Sequence, residues 1–581
     1  MNKFPKKKRP QQFKKGKQQP QRKPKGQLSN TLRIIPLGGL EEVGRNSMII
    51  EMGKDIIIID LGLQFPEEDM PGVDYSIPNI SYLKGKEKNI RGIIITHGHY
   101  DHIGGIPHLV PRLGNPPIYA TDLTLALIQK KQEDIDPQHK LRLVKVKTNT
   151  RLKLGRFNIE FMGLSHNIPA SLGVIIKTPL GTVIHTGDFK IDHHGEAKNE
   201  TELYKINNLK KLGVLALMCD STNAPHQGKQ LSEKEIQKNL EQMFIEAQGR
   251  MIFATFASLI SRLQQIIGLA EKYNRKVQVE GYSMRTNIEI AQRLGYIKTR
   301  KGTIIKNNEA KKLPDKRRLI LSTGAQGEER AVLMRIANRE HKYLTIGKND
   351  LVIFSSSVVP GNERSVQRLK DGLYRAGAEV IDSNMLDIHA GGHAKSEDLR
   401  WFIRQVRPKY FIPIEGNHSF LKINGKYAVQ EGVRKENVLI ADNGQVIEFT
   451  RQGGRLTNER VPTDHVFVDG LGVGDISNVV IRDRQHMANE GMILIIATVE
   501  GRTGNPIGKP DIITRGSGLE ENSQKIKAEI RRVVSKALVD REPKTQANQA
   551  DLKKKIRKAV EKLVFKRTER QPMIIPVIIE T

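Results

Sequence analysis

The 581-residue sequence predicts an α/β protein in three parts. These are a layered β-rich domain, a parallel α/β domain inserted into it, and a small α+β domain that follows. Three observations predict this. Apolar runs of strand length end in His or Asp, above all Gly92-Ile93-Ile94-Ile95, which leads into Thr96-His97-Gly98-His99-Tyr100-Asp101-His102. From about residue 226 the pattern shifts to regular strand–helix alternation, the mark of a parallel sheet. The last stretch of chain combines strand-like runs with two apolar stripes at helical spacing.

Residues 1–30 hold eleven Lys or Arg and no acid, a composition expected to stay disordered as a basic tail. The first domain opens with apolar runs at 32–36, 47–51 and 55–60 and continues through 157–161, 182–188 and 213–220, so its first part is assigned to 31–225. The inserted domain is assigned to 226–385. Within it, 232–247 and 258–273 read as helices, while 251–255, 276–279, 319–321 and 351–354 read as strands. Site-like motifs then return, so the first domain resumes at 386–450. A polar linker at 451–465 precedes the last domain, 466–581. There, 466–470, 492–496 and 573–579 read as strands, and Ile526, Ile530, Val533 and Ala537, then Leu552, Ile556, Val560 and Leu563, read as the buried faces of two helices.

The formal net charge is +31, and residues 521–571 add sixteen basic to seven acidic residues. Basic ends of this kind suit a polyanion, because each neutralised phosphate releases counterions. The single cysteine, Cys219, excludes an intrachain disulfide and fits a reducing cytoplasm. No run has the length of a membrane span and no apolar signal core is present, so a cytoplasmic protein with no membrane partner is expected.

The 97–102 cluster places three imidazoles and a carboxylate at one rim of a sheet. Neutral imidazole and carboxylate together suit zinc or a similar divalent ion. Four ligands in one short loop serve two ions, with His97 and His99 facing one and Asp101 and His102 the other. This motif resembles the signature of the metallo-β-lactamase fold, an αββα sandwich. The resemblance implies that His166 completes the first site and that Asp188 bridges both. Asp60, after the run at 55–59, is expected to orient a ligand by hydrogen bonding rather than to bind metal.

Asp220-Ser221-Thr222-Asn223 and Asp387-Ile388-His389-Ala390-Gly391-Gly392-His393-Ala394 stand at the two seams of the insertion. Together they resemble the β-CASP nucleases. The glycine-rich stretches at 37–46, 60–66, 322–328 and 354–363, with 468–476, sharpen the resemblance to ribonuclease J. That resemblance implies a metal-dependent ribonuclease, a 5′-to-3′ exonuclease preferring a 5′-monophosphate and also an endonuclease, acting in RNA maturation, rRNA processing and mRNA decay. It implies two divalent ions, zinc with manganese or magnesium as alternatives, and a homodimer or homotetramer through the C-terminal domain. It gives Asp220, His393 and Asp188 catalytic roles, and assigns substrate phosphate to His389, Ala390, Gly391, Gly392 and His393. The segment with Ser355, Ser356, Ser357 and Gly361 is expected to line the 5′-phosphate pocket.

Two positions depart from the family. Glu415 stands where the family has a histidine ligand of the second metal, with His418 as a possible substitute. Gly391 stands where the family usually has serine. A DNA-processing nuclease of the same superfamily, a small-molecule metallohydrolase, and an RNA-binding scaffold with a weakened metal site are the competing readings.

Overall fold

The structure is a computed structural model. It describes residues 30–581 except 68–69, 194–196, 357, 360, 383–384, 387, 389–390, 502–504, 520–523 and 540–548. The predicted basic tail, save its last residue, therefore lies outside the described residues.

Two sheets stack face to face. The first has eight strands, in the order Gly453–Arg460, Gln445–Thr450, Leu32–Gly38, Ser47–Met52, Asp55–Ile59, Ile90–Ile94, Ile118–Ala120 and Leu143–Lys145. The second has six: Tyr410–Ile414, Val214–Asp220, Gly181–His185, Leu172–Thr178, Phe157–Gly163 and Arg151–Leu154. Strand side chains alternate between faces, so adjacent residues go to different cores. Ile34, Ile50, Ile57 and Ile94 meet Val174, Val183, Met218 and Ile412 between the sheets. Ile35, Ile49, Ile58 and Ile93 face the other way, packing with Leu123 and Ile128 of the helix Asp122–Ile135. Ile184, Leu217 and Phe411 turn outward onto Leu399 and Phe402 of the helix Ser396–Val406. Burial on both faces is why these strands read as unbroken apolar runs. Each such side chain contributes about 1.5–3 kcal/mol.

The inserted domain is a six-stranded, all-parallel sheet: Ile304–Ile305, Lys276–Glu280, Arg318–Ser322, Met251–Ala254, Leu351–Phe354 and Glu379–Ile381. Its helix Glu233–Glu246 begins at a capping box in which Ser232 and Glu235 satisfy each other's backbone N–H, two of the N–H groups that a helix start leaves unpaired.

Two stretches differ from the sequence reading. Gly453–Arg460, expected inside a polar linker, is the edge strand of the first sheet, paired antiparallel with Gln445–Thr450. It is polar because an edge strand shows one side to water. Val466–Asp469 pairs with Tyr75–Ile77, a short strand of the first part of the chain. Three further C-terminal strands, Pro506–Arg515, Met492–Val499 and Met573–Glu580, form a sheet covered on one face by the helices Gln524–Val539 and Gln549–Thr568. The other face carries Ile507, Ile513, Val577 and Ile579, all exposed.

Candidate metal centre

The site lies where parallel strands of both central sheets end. Ile59 and Ile94 are register partners in neighbouring parallel strands, so Asp60 and the 96–102 loop leave the first sheet side by side. In the second sheet Gly181–His185, Val214–Asp220 and Tyr410–Ile414 run parallel as neighbours, which brings Asp188, Asp220 and Glu415 to one rim. The strand leading to Asp188 stops at His185. Gly187 then takes φ +57°, turning Asp188 back across the gap between the sheets.

Two groups of ligand atoms converge. In the first, His99 Nδ1 is 3.0 Å from His97 Nε2 and 3.0 Å from His166 Nε2. Asp188 Oδ2 lies 3.6 Å from both His97 Nε2 and His166 Nε2. In the second, His102 Nε2 is 3.2 Å from Asp188 Oδ1 and 3.5 Å from Asp101 Oδ2. The two oxygens of Asp188 thus serve different groups.

The surroundings fix these rings. Asp60 Oδ2 sits 2.8 Å from His102 Nδ1, and its carboxylate accepts from Thr96 N at 2.8 Å and Thr96 Oγ1 at 2.9 Å. A carboxylate behind one ring nitrogen leaves the other nitrogen free to ligate. His166 Nδ1 lies 2.7 Å from the Gly392 carbonyl. A Cβ at Gly392 would stand 2.3 Å from the His166 ring, so only glycine lets the two approach.

Burial, then the neighbouring His102 ring, holds His97 well below the usual imidazole range. Burial brings His99 down to about 4. Burial with His99 does the same in direction for His166. Neutral imidazoles are the ligating form. Burial opposes a charged His102, but Asp188, Asp101 and Asp60 outweigh it and raise that ring.

Glu415 is buried with φ +58° and faces Asp188. Burial, then the charges of Asp188 and Asp220, pushes its carboxyl well above the ordinary range. Glu415 Oε2 is buried without a hydrogen-bond partner, and Asp188 Oδ1 beside it has only His102 Nε2 within 3.2 Å. Facing carboxylates in a dry site are costly unless a proton or a cation joins them. The donor set, three imidazoles and a carboxylate beside a fourth imidazole with carboxylates, therefore fits two divalent ions.

Next to this cluster His393 Nδ1 is 2.8 Å from Asp220 Oδ2, while His393 Nε2 reaches within 3.8 Å of Asp188 Oδ2. Burial works against the His393 cation, but Asp220 and Asp188 outweigh it and raise the ring to about 9.

Comparison with known proteins identifies the domains. Residues 40–200 match the family described as "Metallo-beta-lactamase superfamily", 248–373 match "Ribonuclease J, beta-CASP domain", and 479–581 match "Ribonuclease J C-terminal domain". The chain is 39% identical over 570 residues to "Ribonuclease J" of Thermus thermophilus, covering 97% of each chain. It is 38% identical over 550 residues to "Ribonuclease J 1" of Streptococcus pyogenes, covering 95% of this chain and 98% of that one. The chain belongs to the ribonuclease J family. It is thereby a hydrolytic nuclease of the metallo-β-lactamase fold, a superfamily that implies divalent metal. "Ribonuclease J2" of Bacillus subtilis is 35% identical over 552 residues, covering 95% of this chain and 99% of that one. A crystal structure of a protein of unknown function from Enterococcus faecalis shares the fold with a TM-score of 0.51, at 16% identity, over 72% of this chain and all of that one.

Not every expected ribonuclease J residue converges. His418, the expected substitute for Glu415, stands apart at the start of the helix His418–Gln430. It is 48% exposed, and its Nδ1 is 3.1 Å from Glu41 Oε1. The chain turns outward at Gly416, φ +140°, so the loop carries His418 away from the metal groups. His389, Ala390 and Ser357 lie outside the described residues. Ser355 is fully buried: its Oγ donates to Ile388 O at 3.1 Å and accepts from Arg262 at 3.0 Å. The Gly361 N–H donates to Glu363. Of the described donors in that segment, Ser356 Oγ is buried and unpartnered.

Three contributors escape a reading of the sequence. Asn46 Nδ2 is 3.0 Å from His102 Nε2 and 3.5 Å from Asp101 Oδ2. Asn223 Nδ2 and Gln230 Nε2 donate to the His393 carbonyl at 3.1 and 2.6 Å. Asn46 and Asn223 stand inside family-like motifs, which was the available signal. Gln230 lies in none.

Proposed function

We propose that this chain hydrolyses RNA phosphodiesters with two divalent ions, zinc in the histidine-rich position. The more carboxylate-rich second position, with Asp101, Asp188 and Glu415, also admits manganese or magnesium. We further propose 5′-to-3′ digestion preferring a 5′-monophosphate, with internal cleavage, in RNA maturation and mRNA decay in the cytoplasm. The observation that carries the reading is the convergence of His97, His99, His166, Asp101 and His102 on the two oxygens of Asp188, with the His393–Asp220 pair beside them.

When bound, the ions supply Lewis acidity and a nucleophilic water at neutral pH. Asp188 holds both ligand groups in one register. Asp220 fixes the tautomer and orientation of His393, which then presents Nε2 toward the scissile group and delivers a proton to the departing oxygen. Gly391, Gly392 and His393 are proposed to take the substrate phosphate. A homodimer is proposed through the C-terminal sheet, whose exposed Ile507, Ile513, Val577 and Ile579 share one face. A self-complementary patch suits a two-fold interface. No helix among the described residues is long and apolar enough to cross a membrane.

The test is digestion of matched RNA and DNA strands bearing 5′-monophosphate, 5′-triphosphate or 5′-hydroxyl, with metal content measured on the same samples. The reading expects fastest loss of monophosphorylated RNA, nucleotide by nucleotide. Preference for DNA, or a metal-free protein without turnover, overturns it.

A further inference from the structure

The inserted domain has a second polar cavity that shares no residue with the metal centre. It measures about 300 Å³ and opens at the carboxyl ends of the parallel neighbours Lys276–Glu280 and Arg318–Ser322. In open α/β sheets that edge is where ligands sit, because helix N-termini point toward it and the loops there shape a crevice.

One wall is cationic. Arg285 comes from the helix Tyr282–Arg293, Arg335 from the helix Val332–Ala337, and Arg330 from the loop between Arg318–Ser322 and that second helix. All three are exposed, and none has an ion-pair partner among the described residues. Guanidinium groups that line one wall without ion pairs repel one another, and an anion relieves this with paired hydrogen bonds. The helix Tyr282–Arg293 has no side-chain cap, so its first N–H groups remain available. Its N-cap Gly281 has φ +105°, and a Cβ there would come within 2.9 Å of Thr323 Oγ1, so glycine keeps this entrance formed.

The floor has the opposite character. Glu280 is 5% exposed. Its Oε1 accepts from Gln278 at 2.8 Å and its Oε2 lies 3.9 Å from His341 Nε2. An anion alone has no use for a carboxylate, whereas a ribose hydroxyl donates to one, as at the ends of strands that hold nucleotides. At the mouth, Tyr282 is 62% exposed, its hydroxyl held by Asp134 at 3.1 Å and Lys130 Nζ 5.4 Å from its ring centroid, so a base can stack on the ring face turned away from that lysine.

We propose that this cavity binds a ribonucleotide, with Arg285, Arg330 and Arg335 on its phosphate and Glu280 on its ribose hydroxyls. The nucleotide is either free or a unit of an RNA strand. The inference stands on these residues and not on the hydrolytic reading: a chain that cleaves RNA normally but binds no nucleotide here refutes it alone.

The test is calorimetric titration of the full chain carrying Asp188→Ala, which disables the metal centre, with AMP, inorganic phosphate and 2′,3′-dideoxy-AMP. AMP is expected to bind about tenfold more tightly than either other probe. Adding Arg285→Ala and Arg335→Ala, both exposed positions, is expected to weaken AMP by about tenfold at an unchanged melting temperature. A short oligoribonucleotide then separates the sources. If AMP displaces it from the parent but not from the arginine variant, the strand occupies the cavity; if AMP binds without displacing it, the ligand is the free nucleotide. AMP affinity that the arginine substitutions leave unchanged, or that dideoxy-AMP matches, overturns the proposal.

Discussion

His393, half-buried, and the buried Asp220 form a pair, Nδ1 to Oδ2 at 2.8 Å, although 173 residues separate them and the whole inserted domain lies between. The insertion leaves and re-enters the first domain beside the metal groups, so its two seams meet at the site. Asp220→Asn keeps the shape and removes the charge that orients the ring. The expected result is a fall of about 10²–10³-fold in kcat on RNA, with KM and metal content little changed. A loss confined to KM would show that the pair only binds substrate.

Asp60 accepts from Thr96 and holds His102 without entering either ligand group. It also has φ +59°, which asparagine tolerates. Asp60→Asn is therefore expected to fold while weakening metal binding by about 10–100-fold, read by chelator competition. Undiminished affinity would remove Asp60 from the support of the site.

Glu415 meets Asp188 with one oxygen unpartnered. Glu415→Gln should lower the affinity for one of two ions while the other stays, giving a metal stoichiometry near one under mild chelation. Two ions retained as firmly as in the parent would mean that Glu415 is no ligand.

Gly392 is in contact with His166. Gly392→Ala is expected to displace that ring and reduce both metal occupancy and RNA hydrolysis by about tenfold or more. Gly391→Ser, whose neighbours are the flexible amide ends of Gln230 and Asn223, should by contrast leave metal content unchanged.

Glu233 links the inserted domain to the first. It binds Lys190 at 2.5 Å and Arg262 at 3.0 Å. Burial opposes its charge, but those two cations outweigh it and lower its pKa to about 2. A depressed folded-state value stabilises the fold above the ordinary carboxyl pKa, and this stability is lost as pH falls from about 4.5 toward 2. Glu233→Gln should cost about 2 kcal/mol at pH 7 and little near pH 2, measured by denaturant titration at both pH values.

Much of this could be read from the residues in order. The 97–102 cluster, His166 and Asp188 each follow an apolar run, and the end of a buried strand is a position that sequence marks well. The helix stripes of the C-terminal domain were equally visible, because their period is local. Gly453–Arg460 was not: an edge strand needs only one buried face, so its polar residues look like a linker until Gln445–Thr450 pairs with it.

The sequence alone determined which side chains could hold metal and in what order they come. Only the tertiary structure decided that Asp188 divides its oxygens between two groups, that His418 is turned outward, and that three arginines line one cavity of the inserted domain without an ion pair among the described residues. The physical reason is that ligand type and strand periodicity are short-range properties of the chain. Which groups share a site depends on strand pairing and loop direction between residues far apart in sequence, and only packing fixes those.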